Sequence, residues 1–201
     1  HTYVVNGYLG HNTTIGIADI ACLYADGLIK RPFVFAPNRL VRNWIEDCHK
    51  SFAGWNTIPV TTETYAEWGE ERLTKMILEA PPNTIVIVGN SFISNTEKTQ
   101  LVIGNAVDNM SNSVEFCKKF QPDYIIIDES HRIRNPRSAI HQGIKTIMQM
   151  SSVKYGRIAT GTLIQNVLSD VVGQSAVFNG QIFRTLDEFD EENKGVVAIV
   201  N

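Results

Sequence analysis

The chain has 201 residues, 43% of them hydrophobic and 19% charged, with a formal net charge of -3. That length suits one domain with one substantial core, and the balance excludes both a disordered chain and a uniformly basic nucleic-acid coat; any contact with a polyanion must come from a local patch. No apolar run approaches membrane-spanning length and nothing at the start resembles a signal peptide, so the expectation is an intracellular protein, cytoplasmic or nuclear, with no membrane partner. Cys22, Cys48 and Cys117 are odd in number and lack the paired spacing of a zinc site, so they read as reduced thiols.

Taken in order, short apolar runs alternate with helical stretches. Tyr3, Val4 and Val5 predict a short strand, and Asn6, Gly7, Gly10, His11 and Asn12 predict a turn. A helix is expected from Thr14 onward, with Ile17, Ala18, Ile20 and Ala21 at helical spacing. Residues 33–36 read as a strand broken by Pro37, and Leu40, Val41, Trp44, Ile45 and Cys48 as one face of an amphipathic helix. Strands at 58–60 and 84–88 flank a helix at 66–79, and a polar stretch over 90–113 reads as loop with one helix near 101–107. A strand at 124–127, a helix at 138–150, a strand at 156–159 and a helix at about 167–178 complete the pattern. Such alternation predicts an α/β fold of three layers, a mainly parallel central sheet with helices on both faces, and one domain over residues 1–201.

Within it, Tyr124, Ile125, Ile126 and Ile127 run straight into Asp128, Glu129, Ser130 and His131. Successive strand residues face opposite ways, so the two carboxylates cannot both be core; at a strand end they can address a metal and a water from different directions. A strand cap followed by a polar loop is the plainer reading of the pair, and from the residues alone both stay open.

Three further segments bear on the choice. Gly7 to Thr14 has the length and register of a phosphate loop, G-x-x-x-x-G-K-[ST], between a strand and a helix; Gly7, Gly10 and Thr14 fit, while Asn12 stands in place of glycine and Thr13 in place of lysine. An ordinary Gly and Asn turn is the alternative, and a natural or an engineered origin of Thr13 is equally open. Asn38, Arg39 and Arg42 open the helix after Pro37, where guanidinium groups are either solvated or suited to phosphate, and Ser91 follows the strand at 84–88. Thr160, Gly161 and Thr162 form a turn after the last strand, followed by Gln165 and Asn166.

Together these segments resemble the motifs of helicase superfamily 2, most closely the Swi/Snf-type DNA translocase ATPases. Asp128-Glu129-Ser130-His131 with Arg132-Ile133-Arg134-Asn135-Pro136 is similar to their Asp-Glu-x-His Walker B box; Pro37 to Trp44 resembles motif Ia, Val86 to Ser91 takes the place of motif Ib, and Ala159 to Asn166 resembles motif III, with Leu163 where a proline is usual. The resemblance runs from about Gly7 to Phe189. It implies the first RecA-like, P-loop NTPase lobe of a two-lobe motor, binding ATP with Mg2+ and touching the backbone of double-stranded DNA.

Carried over by position, Thr14 and Asp128 would address magnesium and Glu129 would orient or deprotonate the attacking water. Gly7, Gly10, Asn12, Thr13 and Thr14 would hold the nucleotide. His131 would couple that site to Thr160, Gly161, Thr162 and Gln165, while Asn38, Arg39, Arg42 and Ser91 would meet nucleic acid. The family's second-lobe motifs have no counterpart in the sequence, so a second RecA-like lobe is expected in the parent chain or in trans, and the lobe alone is expected to be an inactive ATPase. Two functions follow: the motor lobe of a DNA-dependent ATPase moving on duplex DNA, or a non-hydrolysing lobe, altered at Thr13, that binds nucleic acid or protein.

Overall fold

The computed structural model describes residues 2–5, 8–94, 112–161 and 169–178. In chain order the elements are β1 (Thr2–Val5), β2 (Tyr8–His11), α1 (Asn12–Ala25), β3 (Pro32–Ala36), α2 (Asn38–Ser51), β4 (Asn56–Val60), α3 (Thr62–Leu78) and β5 (Thr84–Gly89). They continue with α4 (Asn90–Ser94), α5 (Asn112–Lys119), β6 (Tyr124–Asp128), a 3-10 turn (Ser130–Ile133), α6 (Ala139–Met148), β7 (Tyr155–Ala159) and α7 (Ser169–Ser175).

Five strands form one parallel sheet in the order β4-β5-β3-β6-β7. Its period-two alternation divides the interior into two cores. Phe33, Phe35, Val86, Val88, Ile125 and Ile127 face one way, against Leu73 of α3, Phe116 of α5 and Ile144 and Ile147 of α6. Val34, Ala36, Ile85, Ile87, Tyr124 and Ile126 face the other, against Ile17 and Ile20 of α1 and Val41, Trp44 and Cys48 of α2. Strands buried on both faces carry continuous apolar runs for this reason, and the expected three-layer α/β architecture is the one observed. The Asp19 carboxylate fixes α1 to the sheet, accepting from the Tyr124 hydroxyl and standing 3.0 Å from Arg157 Nε on β7.

Three local readings are corrected. Residues 8–11 form a strand, not a turn: β2 pairs antiparallel with β1, Val5 opposite Tyr8, and stands outside the five-stranded sheet. Tyr8 and Leu9 favour extended backbone, and they lie one Asn-Gly dipeptide beyond Val5, the composition that most favours a tight hairpin connection. The third helix begins at Thr62, a turn earlier than expected, because the Thr61 side chain accepts from the Thr64 N–H and the Thr64 side chain in turn serves the Thr61 N–H. The polar stretch after β5 opens as helix α4, since Phe92 and Ile93 bury themselves in the core, and it ends in α5, whose Val114, Phe116 and Cys117 do the same. The helix expected near 101–107 lies outside the described residues.

The C-terminal ends of β3, β5, β6 and β7 all open on one edge of the sheet. Asn38, Asn90 and Ser91, Asp128 and Glu129, and Thr160 are the residues at those ends. Open parallel sheets place their ligands at this edge.

Candidate functional site

Asp128 ends β6 and is 3% exposed. Both of its oxygens already accept hydrogen bonds: Oδ1 from the Glu129 N–H at 2.8 Å, and Oδ2 from the Trp44 indole N–H at 2.8 Å. Burial pushes the carboxyl above the ordinary carboxylate range; the Trp44 and Glu129 donors pull it back toward ionisation, and the nearby Glu129 charge adds to the upward push.

Glu129 turns the chain. Its backbone is left-handed at φ 50, ψ 51, a region a non-glycine residue enters only when its surroundings enforce it. The bend keeps the Glu129 side chain buried beside Asp128 and leads directly into the 3-10 turn carrying His131. His131 Nδ1 lies 3.1 Å from Glu129 Oε2 and 3.3 Å from Thr160 Oγ1, which β7 delivers alongside through the Asp128 and Ala159 register. The Thr160 contact is a hydrogen bond whose direction follows the imidazole tautomer, whereas Glu129 Oε2 is near the same nitrogen without being hydrogen-bonded to it. The turn is held from below by the Ser130 hydroxyl donating to Gln174 Oε1 of α7 at 2.6 Å, and by Arg134 facing Asp170 at 3.8 Å.

At the other end of the candidate loop, β2 runs directly into α1, whose first turn carries Thr13, half-buried, and exposed Thr14. That turn holds no acidic residue, leaving the helix N-terminus open to an anion. Gly10 pairs with Tyr3 inside the hairpin, and Asn12 is the first residue of α1. Gly7, Thr162 and Gln165 lie outside the described residues.

At His131, which stands on its wall, an open groove of about 790 Å³ is lined by Asn38, Arg39, Asn90, Ser91, Arg132 and Arg134. The Asn38 amide donates to Ser91 Oγ and accepts from the Ser91 N–H at 3.2 Å, tying the start of α2 to α4. Gly89 makes that approach possible, since a Cβ there would stand 2.7 Å from Asn38 Oδ1. Asn90 is 5% exposed, and neither its amide oxygen nor its amide nitrogen has a partner among the described residues. Arg42 is elsewhere: it is not in the groove wall and its Nε donates to Glu46 at 2.8 Å on the outer face of α2.

Sequence reasoning thus missed Asn90, Arg132 and Arg134 as groove residues, and it read Trp44 as a core residue within the motif Ia resemblance without a partner at Asp128. Ile133 is the buried residue of this turn, so the contrast between it and the arginines on either side was a detectable signal that both guanidinium groups stay near the surface. For Trp44 the signal was chemical, because a fully buried indole N–H needs an acceptor.

The donors present suit magnesium brought in with phosphate. No group of three or more His, Cys, Asp or Glu among the described residues could hold a metal ion unaided. Magnesium, however, is commonly held by one or two carboxylates plus substrate phosphates, and Asp128, buried and fixed at both oxygens, has the chemistry for that part. Among the described residues no helix is long and apolar enough to cross a membrane.

The chain is similar to known proteins in sequence and in fold. The model of the SNF2-related domain matches residues 12–195. A probable ATP-dependent DNA helicase, CHR12 of Arabidopsis thaliana, is 28% identical over 194 residues, covering 93% of this chain and 15% of that protein. A Caenorhabditis elegans homologue of the SWI/SNF-related matrix-associated actin-dependent regulator of chromatin subfamily A containing DEAD/H box 1 is 22% identical over 185 residues, 87% of this chain and 17% of its own length. The chain therefore spans about one-sixth of these relatives. In structure, the Sulfolobus solfataricus SWI2/SNF2 ATPase core, solved in complex with dsDNA, superposes with a TM-score of 0.59 at 21% identity, covering 89% of this chain and 31% of that one.

Proposed function

This chain belongs to the family of SNF2-related domains, and from that premise we propose that it is the ATP-binding lobe of a translocase that couples ATP hydrolysis to movement on double-stranded DNA. The observation that carries the reading is the Glu129–His131–Thr160 line beside Asp128 at the C-terminal edge of the sheet. A plain strand cap would leave its carboxylates to solvent, whereas Asp128 and Glu129 are both buried, and Glu129 holds a left-handed backbone.

In this reading the N-terminus of α1, with Thr13 and Thr14, meets the nucleotide phosphates through backbone N–H groups. Asp128 and the Thr14 hydroxyl would hold magnesium, which when bound neutralises the developing phosphate charge. Glu129 orients the attacking water and accepts its proton. His131 reports the state of Glu129 to Thr160 and the segment after it, where Gly161, Thr162 and Gln165 follow. Asn38, Arg39 and Ser91, joined by Arg132 and Arg134, would meet a sugar-phosphate backbone, to which guanidinium forks and short polar side chains are suited. A second RecA-like lobe, in the parent chain or in trans, would complete the nucleotide site.

The test is steady-state ATP hydrolysis by the full-length protein with and without duplex DNA. Glu129→Gln is expected to lower turnover at least ~100-fold while nucleotide affinity stays within about twofold. Unchanged turnover refutes the role given to Glu129. One observation favours a second reading, a non-hydrolysing lobe that binds nucleic acid or protein: Thr13 stands where a phosphate loop has lysine, removing the charge that grips terminal phosphates. Absence of hydrolysis in the wild-type protein, with duplex DNA binding retained, would select it.

A further inference from the structure

Trp44 is 0% exposed and sits between three elements. Its ring edge meets α1 at Gly16, where a Cβ would stand 2.7 Å from Trp44 Cη2 and 3.1 Å from Ile126 Cδ1, so the ring has no room to shift toward that helix. Its N–H reaches Asp128 Oδ2 at 2.8 Å. With Oδ1 fixed by the Glu129 N–H, the carboxylate is pinned at both ends. Packing alone explains a large apolar ring in this place, but not a ring whose N–H is aimed at the carboxylate.

We infer that Trp44 is a positioning residue for Asp128, its indole N–H setting the carboxylate plane so that the remaining lone pairs face the phosphate side of the site. The inference rests on the proposed nucleotide reading and adds a specificity to it. Magnesium demands near-ideal octahedral geometry, whereas calcium accepts irregular coordination. A carboxylate freed to swivel therefore loses more for the smaller ion than for the larger.

The experiment titrates Mg2+ and, separately, Ca2+ into the full-length protein with a non-hydrolysable ATP analogue, reading nucleotide binding. Trp44→Phe is expected to raise the Mg2+ concentration for half-maximal binding on the order of tenfold, the scale of one hydrogen bond to a charged group, and to change the Ca2+ value less than twofold. Equal shifts for both ions mean a general loss of structure and overturn the inference. So does an unchanged Mg2+ value, which leaves the nucleotide reading standing. Wild-type protein whose nucleotide binding ignores both ions overturns the two together. If Trp44→Phe fails to fold, Gly16→Ala carries the test, because its Cβ displaces the same ring without removing the donor; the same Mg2+-selective loss is expected, and its absence is decisive against the proposal.

Discussion

The imidazole of His131 stands between the Glu129 carboxylate, 3.1 Å from Nδ1, and the Thr160 hydroxyl, 3.3 Å from the same atom. Only the Thr160 contact is aligned as a hydrogen bond; Glu129 Oε2 stands close to the same nitrogen without being hydrogen-bonded to it, so the imidazole is held to the residue that opens the segment after β7 while lying against the carboxylate. A residue poised this way can pass information about the state of Glu129 without touching substrate.

From that geometry, His131→Ala is expected to leave nucleotide affinity within about twofold and to cut DNA stimulation of hydrolysis on the order of tenfold, the cost of one lost hydrogen bond in a coupled network. Thr160→Val should do the same, and the double variant should be no worse than either single one. Strict additivity of the two effects in the ATPase assay would show that they act separately.

The groove predicts an asymmetry between two arginines that look alike in the sequence. Arg39 lines it, whereas Arg42 is turned outward onto Glu46. Arg39→Ala should weaken duplex binding on all sequences alike and reduce the slope of log affinity against log salt by about 1, the signature of one lost phosphate contact. Arg42→Ala should leave both unchanged, since an exposed ion pair on a helix contributes little. Equal losses from the two substitutions in a salt-titrated binding assay would place the nucleic acid on the outer face of α2 instead.

How much of this was legible in the residues depends on the physics involved. The Tyr124 to Ile127 run announces a strand buried on both faces, and the abrupt change to Asp128 and Glu129 announces a strand end, so the fold and the carboxylate pair are readable from hydrophobic pattern alone. The pairing of β1 with β2 is ambiguous in the residues because Gly10 and Asn12 also fit a phosphate-loop register, which competes with the local turn signal of the Asn-Gly dipeptide. Helix α5 went unread because its apolar residues follow a long polar stretch and only tertiary packing on Phe120 and Tyr65 reveals which face is buried. The Trp44 bond to Asp128 spans 84 residues, and no local pattern encodes such a contact.

Thr13 provides a direct choice between the two functions. A lysine at the start of α1 would restore a charge next to the helix N-terminus, where phosphate is already favoured. Thr13→Lys is therefore expected to tighten nucleotide binding roughly ten- to hundredfold, the range of a charge-assisted bond. Equal binding by both forms in a magnesium-containing titration would mean that the missing lysine is not the deciding defect, and the non-hydrolysing reading would weaken.

The last prediction concerns stability. His141 of α6 is 0% exposed, its Nδ1 lies 2.6 Å from the Ile133 carbonyl oxygen, and its Nε2 is buried with no partner among the described residues. Burial lowers its pKa below the ordinary histidine value, outweighing the Ile133 carbonyl, so the folded chain holds it neutral with Nδ1–H donating. Unfolding then takes up a proton once the pH falls below about 6.5, where the unfolded imidazole charges and the folded one does not. Stability from this residue is fully present above that pH and is lost as the pH falls toward the depressed folded value, by at most ~1.4 kcal/mol per pH unit. His141→Gln keeps a donor for the Ile133 carbonyl and has nothing to titrate, so denaturant unfolding between pH 8 and 5 should show a shallower decline for the variant. Parallel curves for the two proteins would assign the acid sensitivity to other groups.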